Sequence, residues 1–230
     1  VSAERFSGGV SITDPNYNFS GNSLTVFGSR TTNNKKNSGY KNNIISTGIG
    51  TKFEQYRNFY ISPTLLYQYD DLTVEDTASK SLKKQKGTFS NISLDYAITV
   101  DERNRVYRPT DGYISSFSQE IPLYADSPYL RNTYQFSKYQ TFSPNAIGSF
   151  KFYTTAINGL DDKDVRLSKR VYLSGKRLRG FKGGQVGPKD GTDYIGGNYA
   201  MASNFEVSLP NILPEATKTD VGLFLDFGNI

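Results

Sequence analysis

The sequence contains no Cys, no His and no Trp, and only one Met. Without Cys there is no disulfide framework, no thiol nucleophile and no thiolate metal site. Without His there is no Ser-His or Cys-His catalytic unit and no imidazole ligand. A carboxylate site for Mg or Ca stays open in principle. The one loop cluster of that kind, Asp161-Asp162 with Asp164, lacks the Gly and distal Glu of an EF-hand. We therefore expect no metal, no cofactor and no enzymatic activity. No apolar run approaches the ~20 residues of a membrane helix, and the start has no charged-then-apolar signal segment. Val1 opens in mid-pattern, as in a mature piece or a fragment. The net charge is only +5, and the basic residues sit in loop-like stretches without stacking aromatics beside them. That argues against nucleic acid as a partner.

Aliphatic residues are also scarce. On the usual apolar set, which counts Gly and leaves out Tyr, the share is roughly 38% against a globular norm of about 45–50%. Yet the chain holds 17 Tyr and 15 Phe, too many aromatics for a disordered chain. Alternation with period two resolves the conflict. From Phe89 to Asp101 one face reads Ile92, Leu94, Tyr96, Ile98, Val100, and the other reads Asn91, Ser93, Asp95, Ala97, Thr99. The same pattern predicts about ten strands: 6–13, 22–31, 40–53, 58–72, 87–101, 112–121, 130–142, 146–158, 197–209 and 219–228. Many reach the ~9–11 residues with which a tilted strand crosses a bilayer, beyond the ~5–6 usual in soluble sheets.

The connections differ in length. Residues 54–57 and 143–145 are short, 102–111 and 210–218 intermediate, and 32–39, 73–86 and 159–196 long and charged. Short turns on one side and long loops on the other are the habit of transmembrane barrels, whose apolar face meets lipid and whose polar face lines a wet lumen. Tyr56, Tyr60, Tyr67, Tyr69, Tyr113, Tyr153 and Tyr199 fall near strand ends, where interfacial girdles belong. A soluble sandwich also alternates, but the strand lengths and these aromatics weigh against it. The expected fold is all-β, an antiparallel transmembrane β-barrel, forming one domain over residues 1–230 with a long inserted loop at about 159–196.

That loop carries nine basic residues, among them Arg166, Lys169, Arg177 and Arg179, and a connection of such length is usually functional or disordered. Its Leu178-Arg179-Gly180-Phe181 resembles the V-R-G-F tip of the sixth extracellular loop in the BamA family, the barrel subunit of the outer-membrane β-barrel assembly machinery. Tyr172-Leu173-Ser174-Gly175 upstream, Val186-Gly187-Pro188-Lys189 and Gly196-Gly197-Asn198 downstream, and the strand Phe224-Leu225-Asp226-Phe227-Gly228 fit the same family in order. So does Pro109-Thr110-Asp111-Gly112, which resembles its P-T-D-G turn and which Asp-Gly turn chemistry alone also explains.

The resemblance implies that the loop tip folds into the lumen, where Arg179 meets acidic residues of the following strands. Glu206 and Asp226 both fall on the polar face of their strands, and a guanidinium fork suits carboxylates. Gly180 would take a positive φ and Phe181 would pack the tip. The resemblance further implies assembly of β-barrel proteins in the bacterial outer membrane. The implied partners are unfolded outer-membrane proteins, outer-membrane lipids and the machinery's lipoproteins. The family's barrel has sixteen strands whose first and last pair weakly as a lateral gate. By motif order this chain runs from about the fourth to about the thirteenth, so a partial barrel without the gate is expected. Alternatives are a TamA-like or two-partner secretion barrel of the same superfamily, a passive porin, or an outer-membrane hydrolase.

Overall fold

The computed structural model describes residues 5–35, 39–76, 78–210, 212–213 and 219–230. Ten antiparallel strands form one sheet: β1 (Arg5–Asp14), β2 (Ser23–Lys35), β3 (Tyr40–Tyr56), β4 (Phe59–Val74), β5 (Gly87–Asp101), β6 (Gly112–Ala125), β7 (Tyr129–Ser143), β8 (Ala146–Gly159), β11 (Tyr199–Leu209) and β12 (Val221–Asn229). Each strand pairs with its neighbours in the chain, so the sheet is a meander, broken in sequence only between β8 and β11. In that break lie a 3-10 turn at Leu167–Lys169 and a two-residue ribbon of β9 (Lys189–Asp190) and β10 (Asp193–Tyr194). A short helix, α1 (Lys80–Lys83), sits in the β4–β5 connection and is capped by the Ser79 hydroxyl, which accepts from Leu82 N–H. Among the described residues β1 and β12 do not pair with each other, so the sheet is open.

All ten expected strands are present, and several run further than alternation alone indicates. β2 extends to Lys35, β3 to Tyr56 and β6 to Ala125. The extension of β2 against the start of β3 is polar and is held by side chains as well as backbone. Thr32 Oγ1 donates to Asn43 Oδ1 at 2.7 Å, and Asn33 Nδ2 donates to Asn42 Oδ1 at 3.1 Å. Such a wall carries no hydrophobic period to read. β6 has an extra residue opposite Ile92 and Ser93, a bulge next to Pro122, which cannot donate to the ladder. Residues 36–38 of the expected loop 32–39, residue 77 of 73–86 and much of 210–218 lie outside the described residues.

The two faces differ sharply. Val26, Ile45, Ile49, Leu65, Tyr67, Leu94, Tyr134, Phe205 and Leu225 stand exposed on the outer face. Phe150 and Phe205 stack there with ring centres 4.8 Å apart, and Tyr113, Phe136 and Phe227 continue the row. A face like this is at home in lipid. The inner face is polar: Ser62, Thr64, Asp95, Ser118, Glu120, Arg131 and Thr133 line one shallow cavity on it. Of the tyrosines expected at interfacial girdles, two are exceptions: Tyr60 shares the inner face of Ser62 and Thr64, under Lys52 at 4.4 Å, and Tyr153 is the other. It points inward, because its strand position shares the face of Thr155 and Lys151, and Arg177 lies over its ring at 3.2 Å.

The dry core among the described residues is small and forms three clusters at the loop end of the strands. Tyr40, Leu72, Tyr129, Ile157, Ala200 and Ala202 are buried near the strand ends on the loop side, under Leu82, Val165, Leu167 and Leu173 of the connections. Each cluster joins a strand to loop residues. The loop therefore supplies the hydrophobic contacts that the inner face of the sheet cannot make by itself.

Candidate functional site

The long loop leaves β8 at Gly159 and crosses the inner face before returning to β11. Between Leu173 and Gly184 it makes a compact double turn. Arg177 and Leu178 N–H groups both donate to Ser174 carbonyl oxygen, and Gly184 N–H donates to Leu173 oxygen. Gly180 has φ +85, the left-handed region, with open space around it. There Gly reverses the chain without the cost that a side chain would carry.

This turn aims Arg179 at two strands. Its Nε and Nη2 donate to the two carboxylate oxygens of Asp226, both at 2.8 Å, and its backbone N–H donates to Asp226 Oδ2 at 2.9 Å. Nη1 donates to Glu206 Oε2 at 2.7 Å. The plane of the guanidinium lies over the Phe224 ring at 3.8 Å. This is the bidentate geometry in which Arg differs from Lys, with a cation–π contact on one face. Hydrogen bonding to Asp226, helped by Glu206 and opposed by desolvation, holds the Arg179 pKa above its ordinary value. The Asp226 side chain is 3% exposed, whereas Arg179 and Glu206 are about a third exposed at 28% and 33%. Asp226 is thus the desolvated member, and its three hydrogen bonds from Arg179 are what permit it.

The apolar part of the tip is Leu178, 5% exposed, beside Leu173. Both reach β12 at Gly228, where an added Cβ would stand 3.0 Å from Leu173 Cδ1 and 3.4 Å from Leu178 Cδ1. Glycine thus leaves room for the close approach of loop and strand, which a Cβ would crowd. Phe181 does not pack the tip as expected. It is 59% exposed, because the turn at Gly180 directs it away from the wall and leaves the packing to Leu178.

Pro109-Thr110-Asp111-Gly112 forms a turn closed by Asn104. Asn104 Oδ1 accepts the N–H groups of Thr110 and Asp111, and its amide donates to Thr110 Oγ1 at 2.8 Å. Gly112 has φ +89, and a Cβ there would collide with the Glu102 carbonyl. The neighbouring Arg108 pairs with Asp220, before β12, across the mouth of a cleft of about 820 Å³ that also reaches Glu206. The turn motif is thus at the opposite end of the sheet from the loop's base and makes no contact with the tip. Asp161, Asp162 and Asp164 gather no metal site, and none is found among the described residues.

Two contacts of the loop carry no motif and escape a reading of the sequence. Arg177 stacks on Tyr153, and its carbonyl oxygen accepts from Asn204 Nδ2 at 2.9 Å. Nearer the loop's start, Arg166 lies over Phe89 at 3.1 Å and faces Asp70 at 3.5 Å. The only available signal is the placement of Gln68 and Asp70 on the polar face of β4 at its loop end.

The description "Omp85 superfamily domain" matches residues 1–230. A SAM50-like protein of Schizosaccharomyces pombe is 30% identical over 69% of this chain and 34% of its own length. The outer membrane protein assembly factor BamA of Neorickettsia risticii is 25% identical over 68% of this chain and 22% of its own. The chain thus spans about a third or less of the curated relatives it matches. In fold it is similar to the crystal structure of BamA from Haemophilus ducreyi lacking POTRA domains 1–3, with a TM-score of 0.85 and 21% identity, covering 98% of this chain and 49% of that one. The ten strands are accordingly part of a transmembrane β-barrel of that type. With a match along its whole length and that fold, the chain belongs to the Omp85 superfamily.

Proposed function

We propose that the protein carrying this barrel segment assembles β-barrel proteins and inserts them into the bacterial outer membrane. Its clients are unfolded outer-membrane proteins, handled with membrane lipids and with lipoprotein partners of an assembly machinery. The observation that carries the reading is the loop tip seated on Asp226 and Glu206 in a chain of Omp85 membership. Strand addition at an exposed sheet edge supplies backbone hydrogen bonds to an incoming chain. Burial of the finished barrel's apolar face supplies the driving force, so no bond chemistry and no nucleotide are required. The seated loop braces the wall from inside while an edge is open.

The test uses the full-length protein reconstituted in proteoliposomes, with folding of a client barrel followed by its protease-resistant, heat-shifted form. Arg179→Ala is expected to slow client folding at least several-fold. Unchanged folding in a correctly inserted Arg179→Ala protein would refute the reading. A secretion barrel would instead leave client folding untouched and lose export of one cognate substrate.

A further inference from the structure

We propose that Arg166 and Asp70 are positioning residues, forming a second anchor at the base of the loop that sets where its tip meets the wall. The proposal rests on the reading of the tip given above. Three residues within four positions at the base are tied to three strands and to the connection after α1. Arg166 Nη2 reaches Asp70 Oδ2 on β4 at 3.5 Å, and its guanidinium lies over Phe89 on β5. The Leu167 N–H donates to Gln85 Oε1, in the connection after α1, at 2.8 Å. Lys169 Nζ donates to Gln68 Oε1 on β4 at 3.2 Å, and its carbonyl accepts from Arg131 Nη2 on β7 at 3.0 Å. Asp70 is 2% exposed and is itself oriented by Asn42 Nδ2 at 3.2 Å.

This anchor is a poor stabiliser by its own chemistry. Arg166 is 7% exposed and has one long ionic contact. Burial pulls its pKa down to about 10, with Asp70 only partly opposing the shift. A buried pair of this kind is often no better than a hydrophobic pair of the same shape, and its best-attested role is to specify one arrangement. The arrangement specified here is the loop's register. From Arg166 to Arg179 the chain is folded throughout. Val171 bridges to Gly197, Leu173 is 1% exposed, and the Ser174–Leu178 turn follows at once. Displacement at the base therefore passes to the tip.

The two anchors also lie far apart on the sheet. In the order β4-β5-β6-β7-β8-β11-β12, Asp70 and Asp226 are six strand spacings apart, roughly 29 Å along the sheet. The loop is a brace fastened at both ends.

The experiment uses the full-length protein in proteoliposomes with Ala200→Cys as reporter. Ala200 is 5% exposed beneath Leu173 and Val171, and these 230 residues contain no native Cys to compete. A thiol there reacts with a maleimide only when the loop lifts. Arg166→Met with Asp70→Asn removes the pair without leaving an orphaned charge. It is expected to label several-fold faster than the reporter alone while keeping its heat-shifted barrel form. Labelling at the reporter's own rate, with Arg179→Ala labelling fast, would overturn the second anchor and leave the tip reading intact. If Arg179→Ala also labels slowly and folds clients normally, the tip reading itself fails. Should the double variant not insert, Arg166→Lys takes its place, because it keeps a charge but loses the planar stack on Phe89. Faster labelling then supports the anchor, and the native rate overturns it.

Discussion

The inner face of the sheet divides into a region the loop covers and a region it leaves bare. Under the loop, Ile157 and Ala202 are fully buried, Leu173 is 1% exposed, and Asp226 is closed in by Arg179. Towards the turn end, the cleft at Arg108, Lys151, Ser208 and Asp220 is open and polar, and its ion pair is solvated. The strands are the same on both sides of that boundary. What differs is whether a second layer excludes water. Stability and site geometry therefore reside in a contact between loop and wall, and the ladder alone provides only a curtain.

Four substitutions would break or sharpen this contrast. Arg179→Ala strands the Asp226 carboxylate and is expected to cost the most, ~3–5 kcal/mol, read from the urea midpoint of the refolded full-length barrel. Leu173→Ala opens a cavity against Ala200 and Ala202 and should cost about 3 kcal/mol, with the same readout. Glu206→Gln keeps a hydrogen bond to Arg179 but removes its charge, so about 1 kcal/mol is expected, with client folding slowed less than by Arg179→Ala. On the bare side, Arg108→Ala removes a pair whose members are 64% and 35% exposed. It should shift the midpoint by no more than about 0.5 kcal/mol. If Arg108→Ala proved as costly as Leu173→Ala, the division between covered and bare regions would be wrong.

Period-two alternation made the ten strands legible, because each has one face in lipid and one in water, and that difference is written in residue type. The extension of β2 to Lys35 was not legible, since Asn33 and its β3 neighbours Asn42 and Asn43 present polar groups on both sides of the wall. The tip residues Arg179, Glu206 and Asp226 could be named from a motif and two polar-face carboxylates. The role of Leu178 rather than Phe181 in packing depends on the turn at Gly180, which determines direction and is invisible in a tetrapeptide. Arg166 stands among nine loop cations with nothing in its flanking sequence to distinguish it. Its partners come from β4 and β5, so only the folded topology brings them to it.

The sequence separations of the two anchors carry a consequence for the order of folding. Arg179 and Asp226 are 47 positions apart, whereas Arg166 and Asp70 are 96 apart. Each doubling of a closed loop adds about 0.6 kcal/mol of chain entropy, so the tip contact closes ahead of the base contact. Neighbouring strands zip first, the hairpin of β11 and β12 then captures the tip, and the base seats last, once β4 has curved into reach. In pulse-labelling during refolding, protection at Ala202 should precede protection at Leu72.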